Sequence, residues 1–162
     1  MIRRIGGAPR PGLAHRRRPG AYAVLIRAGR VLLTEQTTPD LCEVQLPGGG
    51  IDPGESPGPA LTREVLEETG WTCRVERRLG AFRHFTWMPD YEVHAEKVCH
   101  VYLARPGLRL GPPHEAGHRA LWLAGAEAVA ALANEGNRAF LAAALGIGRT
   151  PPTRQAAVDR PW

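Results

Sequence analysis

One stretch of the chain restricts its fold more than any other: the run Pro47-Gly48-Gly49-Gly50, followed by a short helical pattern that ends at Gly70-Trp71. Successive glycines allow a turn whose backbone can approach a ligand closely. Ser56 stands where a helix N-cap is expected, Pro57 suits the first helical position, and Gly70 suits the C-terminal stop. Within these limits Glu64 precedes Glu67 and Glu68 by three and four residues, so three carboxylates project to one side of the helix. Like charges at such spacing destabilise a helix by about 0.2–0.5 kcal/mol per pair. Gathered together they call for a compensating cation. Oxygen-only donors favour a hard divalent ion, Mg²⁺ or Mn²⁺.

At 162 residues and 43% hydrophobic content, the chain is expected to form one domain with a real core. It has no apolar run of the length needed to span a bilayer. The N-terminus is charged but lacks the apolar stretch of a secretory signal. Cys42, Cys73 and Cys99 are widely spaced and form no CxxC pair, so they read as reduced thiols, and the cytoplasm is the expected compartment.

The net charge of +5 is unevenly placed. Arg3, Arg4, Arg10, Arg16, Arg17 and Arg18 outweigh it on their own, with no acid among the first twenty residues, so the rest of the chain is net acidic. Residues 1–20, rich in Gly, Pro and Arg, read as a basic irregular arm. Residues 21–148 read as the folded domain, and 149–162 as a tail containing Pro and Arg.

Along the domain, Ala21–Ile26 and Arg30–Glu35 read as a hairpin turning at Arg27-Ala28-Gly29. Tyr22, Val24 and Ile26 alternate with Ala23 and Leu25, so both faces of that strand are apolar, as in a sheet covered on two sides. Leu41–Leu46 is extended and leads into the glycines. Further strands are expected at Cys73–Leu79, Ala81–Trp87 and Glu92–Ala104, then a loop over Pro106–Gly117 and a strand at His118–Leu123. An Ala-rich helix is expected over Ala126–Ala133, and a last one over Arg138–Leu145 capped by Asn137 and ended by Gly146. Periodicity alone gives one α+β domain.

Gly49, five residues, Glu55, seven residues, then Arg63-Glu64-Val65-Leu66-Glu67-Glu68-Thr69-Gly70-Trp71 resembles the Nudix box, G-x5-E-x7-R-E-U-x-E-E-x-G-U, where U is bulky and apolar. Seven fixed identities at roughly one in fifteen each make a chance match on the order of 10⁻⁸ per start position. The resemblance implies a Nudix-type α/β/α sandwich with a mixed central sheet. It also implies a metal-dependent hydrolase that cleaves the pyrophosphate linkage of a nucleoside diphosphate joined to another moiety, nucleoside triphosphates and nucleotide sugars included. The metal would neutralise the diphosphate and lower the pKa of a bound water. By motif position the resemblance gives Glu64, Glu67 and Glu68 as metal ligands, with a backbone carbonyl of Gly48 or Gly49 completing the shell. Arg63 becomes the partner that holds the acids in place. Glu55 sits at the helix entry, and Gly48, Gly49 and Gly50 approach the substrate.

The general base stays open between Glu64, Glu67, Glu96 and Glu115, the last in the loop before His118. His84, His94, His100, His114 and His118 match no zinc spacing and read as polar or strand-packing residues, with His114 and His118 nearest the cleft. Phe85 and Trp87 alternate as core residues do, while Trp87 and Tyr91 are also candidates for stacking on a substrate base. Pro89 and Tyr91 fall near, but not on, the positions that mark ADP-ribose and dinucleoside-polyphosphate enzymes in the family. The expected partner is a small nucleotide, with no membrane, and a homodimer is compatible with the sequence. Two alternatives stand beside this reading. One is an RNA 5′-end pyrophosphohydrolase that uses the Arg-rich arm; the other is a Nudix-fold binding or regulatory module without catalysis, which a complete box disfavours.

Overall fold

The computed structural model describes residues 1–148; the expected tail at 149–162 lies outside the described residues. In chain order the elements are β1 (Arg3–Arg4), β2 (Arg16–Arg27), β3 (Arg30–Thr37), β4 (Cys42–Gln45), β5 (Gly48–Gly50), α1 (Pro57–Thr69), β6 (Trp71–Met88), a 3₁₀ turn (Pro89–Tyr91), β7 (Val93–Arg109), β8 (His118–Ala124), α2 (Gly125–Ala131) and α3 (Glu135–Leu145). The strands form one mixed sheet in the order β1-β6-β7-β2-β3-β4, with β5 joined to β2 and β8 to β3. The β2–β7 and β1–β6 pairs are parallel and the others antiparallel.

The alternation in β2 explains the layering. Tyr22 and Val24 join Val31, Leu33, Phe82, Val101, Leu132 and Leu141 in a core on the α2–α3 side. Ala21, Ala23 and Leu25 join Leu32, Leu61, Val65 and Ala104 in a second core beneath α1. A sheet buried on both faces needs this two-sided apolar pattern. The result is the expected α+β sandwich. The β2–β3 hairpin closes through Ala28 and Gly29, both at positive φ (49° and 73°), the geometry of a primed two-residue turn.

Several boundaries differ from the sequence reading. Residues 1–20 are not an irregular arm throughout. Arg3 and Arg4 pair with Phe82 and Arg83, and Arg16–Gly20 extend β2 along Ala95–Cys99 of β7. The partner that orders them lies some eighty residues away, so nothing local announces it. β6 is continuous where two strands are expected, because register shifts near Cys73, Val75–Arg77 and Arg78–Gly80 absorb its irregular pattern. β7 runs on through Pro106 and Gly107. In α3 the cap is Asn134, whose side chain accepts from the Asn137 N–H at 3.0 Å, so the helix starts at Glu135 and Asn137 is buried in its first turn. Ser56 does occupy the N-cap position of α1, yet its hydroxyl makes no capping hydrogen bond.

Candidate active site

Helix α1 carries two chemistries on one cylinder. Leu61 and Val65, four residues apart, bury against the sheet, while Glu64 lines the cleft and Glu67 joins it on Arg63. Its end is fixed by Gly70, at φ 74°, whose N–H donates to the Leu66 carbonyl. A side chain there would collide with the Gly111 carbonyl.

Arg63 organises the acids. Its Nε and Nη2 donate to the two carboxylate oxygens of Glu55 at 3.1 and 3.0 Å. Its Nη1 reaches Glu64 at 3.0 Å and Glu67 at 3.3 Å, and Nη2 also donates to the Gly50 carbonyl at 3.3 Å. A planar guanidinium suits this forked engagement. The hydrogen bonds from Arg63, then from the Asp52 N–H, hold the Glu55 carboxyl below the usual carboxylate range. Burial pushes Glu64 up despite Arg63, and burial also pushes Glu68 well up despite the Gly48 amide, with the neighbouring glutamates adding to the rise.

The glycines act through backbone approach. The Gly48 N–H donates to Glu68 Oε2 at 3.0 Å. A Cβ on Gly49 would stand 2.6 Å from the Glu64 carboxyl carbon. β5 holds both against β2 through the Tyr22–Gly48 and Ala21–Gly49 pairs.

The segment before β8 supplies the fourth acid. The backbone N–H groups of His114 and Glu115 both donate to the Glu67 carbonyl, at 2.8 and 3.0 Å, so they satisfy the C-terminal end of α1. This anchors Glu115 beside the helix. Donor atoms of Glu64, Glu67 and Glu115 lie within 4.8 Å of one another, as do those of Glu68, Glu115 and His118. Glu96 belongs to neither group and is engaged by Arg83 at 2.9 Å, which sets it apart from the acids of α1.

His118 is part of this wall. Its Nδ1 lies 2.9 Å from Thr34 Oγ1, and the Thr34 hydroxyl donates to the Glu68 carbonyl at 3.4 Å. A hydroxyl has one proton to give, so this assigns Nδ1–H as the donor to Thr34 and leaves Nε2 an acceptor. Nε2 is buried without a partner, 3.8 Å from Glu115 Oε1, and burial keeps the ring's pKa below its ordinary value. The carboxylate oxygens of Glu64, Glu67 and Glu115, within 4.8 Å of one another, are the donors that fit a hard cation. The donor set therefore suits Mg²⁺ or Mn²⁺.

The cleft over Gly48, Gly49, Gly50 and Glu64 has a volume of about 740 Å³ and extends to Tyr91, Lys97 and Arg16–Arg18. Tyr91 lines it with Arg18 over its ring at 4.2 Å. Trp87 does not line it: the two-residue period of β6 turns Trp87 away from Met88, and its ring sits against His94. Trp87 is also 49% exposed, so it is not a core residue. The sequence reading missed Lys97 and the arginines of β2 as cleft residues. The only signal for the arginines was charge, which an irregular arm explained equally well, and Lys97 is brought to them by the β2–β7 register.

This fold and site are those of a known class. The NUDIX domain model matches residues 16–144, and the chain belongs to the Nudix hydrolase family. It is 30% identical over 143 residues to the CMP-5′-(N-acetyl-N-hydroxy-3-aminopropyl)phosphonate hydrolase of Streptomyces rubellomurinus, covering 82% of this chain and 66% of that protein. It is 34% identical over 90 residues to the ADP-ribose pyrophosphatase of Bacillus subtilis, covering 53% and 45%. The chain spans less than half the length of several such relatives. Its fold is similar to that of a Nudix hydrolase from Nitrosomonas europaea, with TM-score 0.65, 21% identity, and coverage of 78% and 86%.

Proposed function

We propose that the protein is a metal-dependent pyrophosphohydrolase that cleaves the phosphoanhydride of a nucleoside diphosphate joined to another group. The observation that carries this reading is the convergence of Glu64, Glu67, Glu68 and Glu115 with one cationic side chain beside them, Arg63, which meets only Glu64 and Glu67 and is already shared with Glu55. In this reading Glu64, Glu67 and Glu68 hold Mg²⁺ or Mn²⁺, which supplies charge neutralisation for the diphosphate and a more acidic bound water.

The chain's own residues then have separable tasks. Arg63 fixes the rotamers of Glu64 and Glu67 while Glu55 fixes Arg63. The Gly48 amide orients Glu68. Glu115, half-exposed and outside the Arg63 network, accepts the proton of the attacking water. Gly49 and Gly50 let the diphosphate lie against backbone, and Tyr91 bounds the cleft at the far end. The names of the Bacillus subtilis and Streptomyces rubellomurinus relatives share a nucleotide and differ in what it carries, which supports a nucleotide substrate and leaves its second group to experiment. The unpaired thiols of Cys42, Cys73 and Cys99 support a cytoplasmic setting.

The test is a substrate panel with Mg²⁺ or Mn²⁺ that scores release of phosphate, pyrophosphate and nucleoside monophosphate. Metal-dependent monophosphate release from at least one nucleotide is expected. A panel without turnover under either metal would contradict the proposal.

A further inference from the structure

The cleft is bipolar. Glu64 of α1, with Asp52 and Glu55, occupies one end, and the other is built from the basic first half of β2 and the facing part of β7. Arg18 and Lys97 are register partners in the parallel β2–β7 pair, so their side chains leave the same face of the sheet. Both line the cleft. Lys97 is the chain's one lysine, and its Nζ lies 5.8 Å from the Tyr22 ring centroid. The Arg18 guanidinium is placed over Tyr91 at 4.2 Å. Neither has a carboxylate within 4.0 Å among the described residues, whereas Arg63, Arg83, Arg105 and Arg119 each do. Two adjacent cations held by aromatic rings and lacking a counter-ion are arranged to receive an anion.

The position of these residues says which anion. Gly20 of β2 pairs with Gly50, beside the Glu64 carboxylate's glycine turn, and Arg18 lies two residues earlier on the same face. Two residues of strand span about 7 Å, so Arg18 and Lys97 stand beyond the glycine turn, farther along the cleft than the phosphates that the acidic end would take. We propose that Arg18 and Lys97 are specificity-determining residues that bind a phosphate of a small nucleotide substrate other than the two flanking the cleaved bond. The proposal rests on the pyrophosphohydrolase reading for its substrate and on the geometry of β2 and β7 for its site.

Two measurements test it and separate its failure from failure of that reading. The first is calorimetric titration of inorganic tripolyphosphate into the metal-free full chain. Binding is expected, at least tenfold weaker in Lys97→Met and in Arg18→Met, and retained in Lys97→Arg, with circular dichroism confirming that each variant is folded. Equal affinity in the folded methionine variants overturns the assignment whether or not the protein proves to be a hydrolase. The second compares kcat/KM within matched pairs, NADPH against NADH and dGTP against dGDP, under Mg²⁺ or Mn²⁺. The phosphate-richer member of at least one pair is expected to be preferred, and the ratio to fall at least tenfold in either methionine variant. An unchanged ratio overturns the proposal, and no turnover of any member speaks against the hydrolase reading alone. A 5′-triphosphorylated RNA oligonucleotide that binds at least tenfold more tightly than dGTP, with loss in the same variants, overturns the small-molecule assignment in favour of RNA.

Discussion

The Gly48 amide donates to Glu68 Oε2 at 3.0 Å, which links the glycine turn to the buried end of the acidic helix. Glu68 is only 5% exposed, so this single neutral donor offsets part of a desolvation cost that otherwise pushes its carboxyl well up. The pair explains why the turn and the helix must be read as one unit. The backbone orients the acid, and the acid in turn fixes the backbone.

The neighbouring glycine gives a sharper test of that unit. A Cβ at Gly49 meets the Glu64 carboxyl group at 2.6–2.7 Å, and the backbone there is not in the left-handed region. Gly49→Ala is therefore expected to lower kcat at least tenfold by displacing Glu64, while the thermal midpoint moves by only about 2 °C, as for a change of about 0.5 kcal/mol. Turnover close to wild type would show that the Glu64 position is not critical.

Arg63 acts through geometry as much as charge. A lysine at this position keeps the positive charge but cannot serve Glu55, Glu64 and Glu67 together. We expect Arg63→Lys to lower kcat at least tenfold, on the order of 1.4 kcal/mol or more in transition-state stabilisation. Steady-state kinetics check this, and equal rates for the two proteins would remove the positioning role.

How much of this was legible in the sequence follows from where the interactions lie. Glu64, Glu67, Glu68 and Arg63 sit within one and a half helical turns, so spacing alone places them together. Glu115 was a candidate only by its place in the loop before His118; what brings it to the helix is that its backbone N–H closes the end of α1 on the Glu67 carbonyl, 48 positions earlier by sequence number. Arg18 and Lys97 were invisible as a pair because only the parallel β2–β7 register unites them. The two apolar faces of β2 did announce a sheet covered on both sides. By contrast, the continuity of β6 depends on bulges that leave no periodic trace.

His84 sets an acid limit on stability. Burial, with the charge of Lys97 adding to it, pushes its pKa down from 6.5 to about 4. The folded state thus refuses a proton that the unfolded chain accepts below pH 6.5. This contribution to stability is full at neutral pH, falls as pH drops through the interval between those values, and levels off below the lower one. Urea midpoints measured across that interval should decline more steeply in the wild type than in His84→Gln. Parallel declines would exclude this ring as the source.

The cap of α3 is a local matter. Asn134 accepts the Asn137 N–H at 3.0 Å, and removing that acceptor in Asn134→Ala is expected to cost about 1 kcal/mol by urea unfolding. A change below about 0.3 kcal/mol would mean that water replaces the side chain without loss.

The claim on which the functional account turns is that the acids of α1 hold a divalent cation. Titration of Mn²⁺ followed by electron paramagnetic resonance measures this without knowledge of the substrate. We predict saturable binding to the wild type, weakened at least tenfold in Glu64→Gln and in Glu68→Gln with the fold retained. Mn²⁺ affinity that is unchanged in both folded variants would contradict the account.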